Sequence, residues 1–147
     1  MKEIKFYRCL KCGNIVFMTN DSGVVPSCCG MSMELLEPKT HDSGEEKHVP
    51  VYEWCKDKEE CGASGAKEGS CCKLKVKIGS LPHPMEEEHH ICFVALETTK
   101  GVQINHIGGK GCKMDKGAVA KFYCKPHHAK AIYAYCNLHG MWKRSLE

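Results

Sequence analysis

The stretch 136–140, Cys-Asn-Leu-His-Gly, carries two side chains that bind metals. Cys136 offers a thiolate and His139 an imidazole, and two residues separate them. Residues 131–135 form an alternating run typical of a half-buried strand, which would deliver both groups to the rim of a sheet. One Cys and one His do not hold a metal alone, so the stretch predicts a metal site with partners elsewhere in the chain.

A second set of ligand types lies near the N-terminus, where Cys9-x2-Cys12 is followed by the adjacent pair Cys28-Cys29. A Cys-x2-Cys turn directs two sulfurs at one point, and a second pair completes a tetrahedron that suits iron or zinc. Zinc ribbons keep a spacer in both pairs, so we expect the adjacent pair to distort the tetrahedron. The alternatives are a structural zinc knuckle and a thioredoxin-like dithiol, the latter disfavoured because no βαβ pattern surrounds it.

The partners of the C-terminal pair must come from the middle of the chain. His83 and His89 flank a Pro-containing segment whose spacing excludes successive turns of a regular helix and suits a loop around an ion. His48 opens a strand and adds an imidazole, whereas His90 is a rival to His89 that the spacing from His83 disfavours. Four imidazoles and one thiolate exceed the ligand number of structural zinc and are compatible with iron, leaving a sixth position open.

The amino-acid composition argues against a membrane protein, a disulfide-stabilised scaffold and a nucleic-acid-binding protein. The 147 residues contain 12 Cys and 9 His, and no apolar run approaches a membrane span. We therefore expect a cytoplasmic protein whose cysteines bind metal rather than form a disulfide framework. The net charge of +3 arises from 21 basic and 18 acidic residues without a basic stripe, so the sequence does not favour nucleic-acid binding.

The order of segments predicts an all-β chain. Short strand-like pieces at 4–7, 14–18 and 32–36 form a small module over residues 1–37, and the polar, turn-rich residues 38–47 indicate a linker. Residues 48–147 contain at least six β-type segments and no sustained helical period, which predicts an antiparallel sandwich. These segments lie at 48–52, 73–78, 91–96, 102–107, 118–123 and 131–136.

Four motifs, in order, resemble the desulfoferrodoxin family, the two-iron superoxide reductases. They are Cys9-x2-Cys12 with Cys28-Cys29-Gly30, Glu46-Lys47-His48-Val49-Pro50-Val51, His83-Pro84-Met85-Glu86-Glu87-x-His89-x-Ile91, and Cys136-Asn137-x-His139-Gly140. The resemblance runs from about Ile4 to Trp142 and fails only at an internal insertion. It implies a desulforedoxin-like N-terminal module followed by an immunoglobulin-like β-sandwich.

The resemblance also implies the cofactors and partners. Two irons per chain are expected: an Fe(Cys)4 centre held by Cys9, Cys12, Cys28 and Cys29, and an Fe(His)4(Cys) centre with His48, His83, His89 and His139 equatorial and Cys136 axial. The expected substrate is superoxide, reduced to hydrogen peroxide, with a rubredoxin-like electron donor. Family members form homodimers through their N-terminal modules.

Charge supports this chemistry. Ferrous iron with one thiolate and neutral imidazoles carries a formal charge of +1, which attracts an anion, and Lys47 would add to that attraction and orient a water that supplies protons. A thiolate opposite the open position pushes electron density toward it. By resemblance, Glu46 occupies the sixth position of the resting ferric iron and leaves on reduction. Two departures from the family pattern, Glu88 in place of a common Lys and His90 in place of an aromatic residue, lie near the site.

The insertion, at about residues 54–72, has no assigned role. Its cysteines, Cys55, Cys61, Cys71 and Cys72, fit a third metal site, a redox-active dithiol, a disulfide-stapled hairpin or a loop of reduced thiols. Cys92 is interpreted as a small core residue, Cys112 and Cys124 as thiols that are either free or paired, and His106, His127 and His128 as surface or loop residues.

Two functions from other classes compete with the enzyme. A rubredoxin-like electron carrier needs only the Fe(Cys)4 centre, and a structural zinc or iron protein needs only the cysteines. Neither has a use for four additional histidines around one thiolate, which is the feature that favours catalysis.

Overall fold

The structure is a computed structural model that describes residues 3–41, 48–55, 73–80, 83–109 and 117–146. Within these ranges the chain forms twelve β-strands and a single 3₁₀ turn, and no helix is long and apolar enough to cross a membrane. The chain divides into two compact units, Met1–Glu37 and Pro38–Glu147. The prediction of an all-β fold is confirmed.

The first unit contains five short strands. They are β1 (Phe6–Arg8), β2 (Ile15–Phe17), β3 (Ser27–Cys28), β4 (Met31–Ser32) and β5 (Glu34–Leu35). β1 lies between β2 and β5 in one sheet, and β3 pairs with β4 in a second. The strand predicted at 32–36 is divided because Met33, which is buried in the small core with Tyr7 and Cys9, separates β4 from β5.

The second unit is a sandwich of two antiparallel sheets. Its strands are β6 (Pro50–Trp54), β7 (Lys73–Ile78), β8 (Ile91–Thr98), β9 (Gly101–His106), β10 (Val119–Tyr123), β11 (Ala129–Cys136) and β12 (Gly140–Ser145), with the 3₁₀ turn at Pro126–His128. One sheet has the order β10-β7-β6 and the other β12-β11-β8-β9. The pairing is antiparallel throughout both sheets, as predicted.

Alternation along β7 shows how the sequence builds the core. Leu74, Val76 and Ile78 are at most 1% exposed, and the lysines between them face outward. They pack in one cluster with apolar residues of β8, β10 and β11, including Val94, Phe122 and Ile132. Burying such side chains contributes about 1.5–3 kcal/mol each, so this cluster fixes how the strands of the sandwich lie against one another.

Cys92 occupies a β-bulge rather than a core position. Ile91 pairs with Cys136 and Phe93 with Tyr135, so β8 advances by two residues where β11 advances by one. The extra residue, Cys92, is half-buried, and its carbonyl accepts hydrogen bonds from the N–H groups of Ile107 and Gly108. The interpretation of Cys92 as a core residue is therefore wrong, because a bulge removes its residue from the regular alternation.

The insertion lies within one hairpin. Trp54 pairs with Leu74, and the Cys55 N–H donates to the Lys73 carbonyl at 2.9 Å, so the two ends of the insertion meet where β6 adjoins β7. Cys55 is half-buried, whereas Cys61, Cys71 and Cys72 lie outside the described residues. Cys112 also lies outside them. No disulfide joins two of the cysteines that the structure describes.

Candidate metal centres

The four N-terminal cysteines converge on one point. The sulfurs of Cys9, Cys12, Cys28 and Cys29, called the thiolate cluster below, all lie within 4.8 Å of one another. Cys12 Sγ is 3.6 Å from Cys28 Sγ, which is 3.9 Å from Cys29 Sγ. Four sulfurs at about 2.3 Å from one metal in a tetrahedron are about 3.8 Å apart. These two edges therefore match a regular tetrahedron, and they do not show the distortion that we expected from the adjacent pair.

An unusual backbone conformation explains how two adjacent cysteines point at one metal. Cys29 has a φ of +54°, the only positive φ among described residues other than glycine. This left-handed conformation turns the chain sharply after Cys28, and Gly30 continues the turn with a φ of +74°. The strain at a non-glycine residue is consistent with a position held by a metal.

The thiols of the cluster differ in acidity. The backbone N–H of Cys12 donates a hydrogen bond to Cys9 Sγ at 3.4 Å, which lowers the pKa of the Cys9 thiol to about 6. Hydrogen bonding with Cys12 raises the pKa of Cys28 and raises that of Cys29 to about 12. Without metal, at least two of the sulfurs hold protons at neutral pH, and a metal ion displaces those protons when it binds.

The second group of ligand types lies at one end of the sandwich. His48 precedes β6, His83 and His89 lie between β7 and β8, Cys136 ends β11, and His139 lies in the turn before β12. The donor atoms of His48, His83, His89 and Cys136 lie within 4.8 Å of one another. His139 Nδ1 joins them at 3.1 Å from His48 Nε2.

The four imidazoles form a near-square, called the imidazole square below. Neighbouring ring centroids are 4.7 Å (His48–His83), 4.7 Å (His83–His89), 5.0 Å (His89–His139) and 4.8 Å (His48–His139) apart. The diagonal from His48 to His89 is 6.5 Å, and neighbouring rings are inclined by 61–79°. This arrangement directs one nitrogen of each ring toward a common centre.

Cys136 lies on the axis of the imidazole square. Its sulfur is 3.7 Å from His83 Nε2 and 3.7 Å from His139 Nδ1, which belong to opposite corners. Donor atoms about 2.1–2.3 Å from one metal and at right angles to each other are about 3 Å apart, and opposite donors are about 4.3 Å apart. The 3.1 Å between His48 Nε2 and His139 Nδ1 matches neighbouring donors, whereas the Cys136 sulfur lies about 0.7 Å farther from the nitrogens than that geometry requires. The five residues would therefore hold one metal if the sulfur moved slightly toward the imidazole square.

The burial of the site is one-sided. Cys136 is 0% exposed, and His48 and His83 are 4% and 3% exposed, whereas His139 is exposed. The thiolate side therefore faces the core, and solvent reaches the site at the edge formed by His139. Low polarity around the sulfur strengthens its electrostatic effect on a metal.

Hydrogen bonds orient the imidazoles. His83 Nδ1 lies 2.8 Å from the Pro84 carbonyl, so Nδ1 carries the proton and Nε2 presents its lone pair toward Cys136. His48 is stacked on Trp142, with 4.6 Å between ring centroids and 10° between ring planes. Such contacts fix the ring orientation and tautomer of metal-ligating histidines.

Asn137 connects the two loops that carry ligands. Its Oδ1 accepts from the His90 N–H at 2.9 Å, its Nδ2 donates to the Glu88 carbonyl at 2.9 Å, and its own N–H donates to the His90 carbonyl at 3.2 Å. His90 itself is buried and bonds the Glu86 carbonyl through Nδ1, outside the imidazole square. His89 rather than His90 therefore joins the donor group.

The structure thus brings together nine of the residues that the sequence predicted as ligands. His106 and His127 are exposed and His128 is half-buried, and all three lie outside both groups. Glu46 and Lys47 lie outside the described residues. Sequence reasoning missed the contacts of Trp142 and of the Asn137 side chain, because both depend on strands and loops that meet only in the folded chain.

An antiparallel sandwich with four imidazoles and one thiolate, preceded by a module with four thiolates, defines a non-haem metalloprotein with two unlike centres. The desulfoferrodoxin family model matches residues 40–145. A desulfoferrodoxin homolog of Archaeoglobus fulgidus is 36% identical over 144 residues, which are 97% of this chain and 98% of the relative. The desulfoferrodoxin of Nitratidesulfovibrio vulgaris is 37% identical over 141 residues, 96% and 95% of the two chains.

A solved structure shares the whole architecture. The superoxide reductase from Treponema pallidum superposes with a TM-score of 0.73 at 25% identity, covering 99% of this chain and 100% of that one. The chain belongs to the desulfoferrodoxin family. The resemblance seen in the sequence is confirmed.

Proposed function

We propose that this chain is a superoxide reductase, which converts superoxide to hydrogen peroxide with one electron and two protons. The observation that carries the proposal is the imidazole square with Cys136 on its axis. The relationship to the Treponema pallidum superoxide reductase supports it. These five residues would hold an iron ion, which would supply the electron by changing from ferrous to ferric.

The donor set favours iron over structural zinc. Structural zinc takes four ligands in a tetrahedron, whereas the imidazole square and Cys136 present five donors in a square-based arrangement. Imidazole and thiolate are both ligands for iron. The thiolate cluster would hold the second iron of the chain, as in an Fe(Cys)4 centre.

The charges of the residues favour an anionic substrate. One thiolate and four neutral imidazoles leave a divalent metal with a net charge of +1. Because Cys136 is buried and His139 is exposed, an anion reaches the site from the solvent side, where it meets this positive charge. A pure electron carrier has no use for such an arrangement.

Lys47 and Glu46 are assigned roles from the sequence alone, since they directly precede the ligand His48. Lys47 would attract superoxide and orient a proton-donating water, and Glu46 would be a further ligand of the oxidised metal that leaves on reduction. Lys47→Ala is expected to lower the second-order rate with superoxide at low ionic strength, with a smaller effect at high ionic strength. A pulse-radiolysis rate that equals that of the unaltered protein at low salt would remove Lys47 from the mechanism.

The physiological setting is also a proposal. A rubredoxin-like donor in the cytoplasm re-reduces the iron, and two chains associate through their N-terminal modules. The abundance of cysteine and the family membership support these assignments. Oxidation of a reduced rubredoxin, coupled to superoxide reduction, tests the donor, and cell fractionation tests the compartment. Sedimentation equilibrium tests the dimer, which a monomer at micromolar concentration would contradict.

The reaction itself is tested by its stoichiometry. The anaerobically reduced, iron-loaded protein is mixed with a known amount of superoxide, and hydrogen peroxide and dioxygen are measured. A reductase forms one hydrogen peroxide per superoxide consumed and no dioxygen. One hydrogen peroxide and one dioxygen for every two superoxide ions would instead indicate dismutation and would overturn the proposal.

A further inference from the structure

Lys39 lies against the imidazole square although it belongs to the segment predicted as a linker. Its backbone pairs with β12, because the Lys39 N–H donates to the Met141 carbonyl at 3.0 Å and the Lys143 N–H donates to the Lys39 carbonyl at 2.8 Å. The two bonds form a parallel bridge at Trp142. The backbone of Lys39 is therefore fixed beside the turn that carries His139.

The side chain of Lys39 contacts the backbone of one ligand, His139, and the indole ring that packs on another, His48. Its ammonium donates to the His139 carbonyl at 3.1 Å, and its Nζ lies 4.9 Å from the ring centroid of Trp142. Trp142 is 5% exposed and stacks on His48. Lys39 thus holds one ligand through its carbonyl and another through the indole between them.

The charge of Lys39 is not neutralised within the described part of the chain. The ion pair between Lys5 and Asp21 lies in the other unit and does not involve Lys39. Lys39 is exposed, and its ammonium contacts a carbonyl and an aromatic face rather than a described carboxylate, so it adds positive charge beside the site. A fixed positive charge disfavours loss of an electron from a nearby metal and attracts an anion.

We propose that Lys39 is a positioning residue of the metal site, which orients His139 and His48 and contributes a fixed positive charge. The inference rests on the proposed function for its effect on superoxide. Its effect on the metal does not require catalysis. Lys39 raises the reduction potential of the metal held by the imidazole square and increases the rate at which superoxide arrives.

The test compares three variants of the full, iron-loaded chain. Lys39→Met removes the charge and keeps an unbranched apolar side chain, and Lys39→Arg restores the charge. Lys100→Met is the matched control, because Lys100 is exposed in the turn beyond the far end of β8, roughly 25 Å from the ligands at strand spacing. Each variant receives a spectroelectrochemical titration and a rate measurement at several ionic strengths.

Lys39→Met is expected to lower the midpoint potential of this iron and to reduce the superoxide rate about threefold or more at low salt, with a weaker dependence on ionic strength. Lys39→Arg should restore both, and Lys100→Met should alter neither. The inference would be overturned if Lys39→Met left both the midpoint potential and the salt dependence unchanged. That holds even if the variant lost iron or thermal stability, because such a loss would show a purely structural role. Since the potential is measured without superoxide, failure of the proposed reaction leaves this result intact.

Discussion

At the scale of single residues, five cysteine sulfurs and four histidine nitrogens supply the donor atoms of the two centres. The spacing of cysteines and histidines, with the family resemblance, predicted these nine residues as ligands, and the structure places their donor atoms in two clusters. The sequence could not show that His139 faces the centre through Nδ1, because that depends on the turn between β11 and β12. Nor could it show that Cys29 adopts a left-handed backbone, which few residues other than glycine do.

The acidity of the cysteines predicts a pH-dependent affinity of the thiolate cluster. Metal binding requires four thiolates, whereas the pKa values of Cys28 and Cys29 are raised, so both carry protons at neutral pH. Protons therefore compete with the metal, and affinity increases as pH rises. The pKa of Cys9, about 6, means that this thiol has already lost its proton above neutrality.

Co²⁺ titration of the metal-free protein measures this effect through thiolate-to-cobalt absorption. The Cys136→Ser background removes the signal of the second centre, and replacement of Cys55, Cys61, Cys71 and Cys72 by Ser removes any signal of the insertion. Between pH 7 and 8.5 the logarithm of the affinity should increase by about two or more per pH unit, because at least two protons leave. An affinity that does not change across this range would show that the thiols are already ionised.

At the scale of elements, the ligands lie at the ends of strands and are held by loops. β7 was predicted with its observed bounds because apolar residues alternate with lysines along it, which places one face in the core and the other toward solvent. β12 was not predicted, because Met141 and Trp142 are adjacent and both buried, which removes the alternation. The predicted linker likewise gave no sign of the Lys39 pairing, which involves its backbone rather than an apolar pattern.

The two side-chain hydrogen bonds of Asn137 predict that their removal lowers the stability of the protein and its retention of metal. Asn137→Ala removes two side-chain hydrogen bonds that join the loop of His89 to the turn after Cys136. The expected cost is about 1–3 kcal/mol in the free energy of unfolding, together with faster iron loss to a chelator, because the His89 loop is less restrained. Urea denaturation and chelator kinetics measure the two effects.

Asn105→Ala is the matched control for Asn137→Ala. Asn105 donates a single hydrogen bond to the Lys121 carbonyl, between the two sheets and outside the donor group. It should lose less stability and retain iron as the unaltered protein does. Equal rates of iron loss in both variants would show that Asn137 has no specific role at the site.

At the scale of the whole molecule, the two centres belong to separate compact units. Among the described residues of the first unit, four are buried: Phe6, Tyr7, Cys9 and Met33. A core of this size does not stabilise a domain, so the metal must hold the module together. The sandwich has a large core of its own and does not depend on that metal.

Cys12→Ser tests this independence. The variant should contain one iron per chain instead of two, and hydrogen exchange should accelerate within residues 3–37. The sandwich should keep its protection and its iron, because none of its ligands has changed. Accelerated exchange in β7 or β11 would instead show that the two units fold as one.

The assignment of Cys136 as the axial thiolate is tested most directly by the visible spectrum of the oxidised protein. A sulfur on the axis of the imidazole square should produce a thiolate-to-iron charge-transfer band distinct from those of the thiolate cluster. Cys136→Ser should abolish this band and leave the bands of the thiolate cluster, whereas Cys92→Ser, altered at the nearby bulge, should retain both. Persistence of the band in Cys136→Ser would contradict the account.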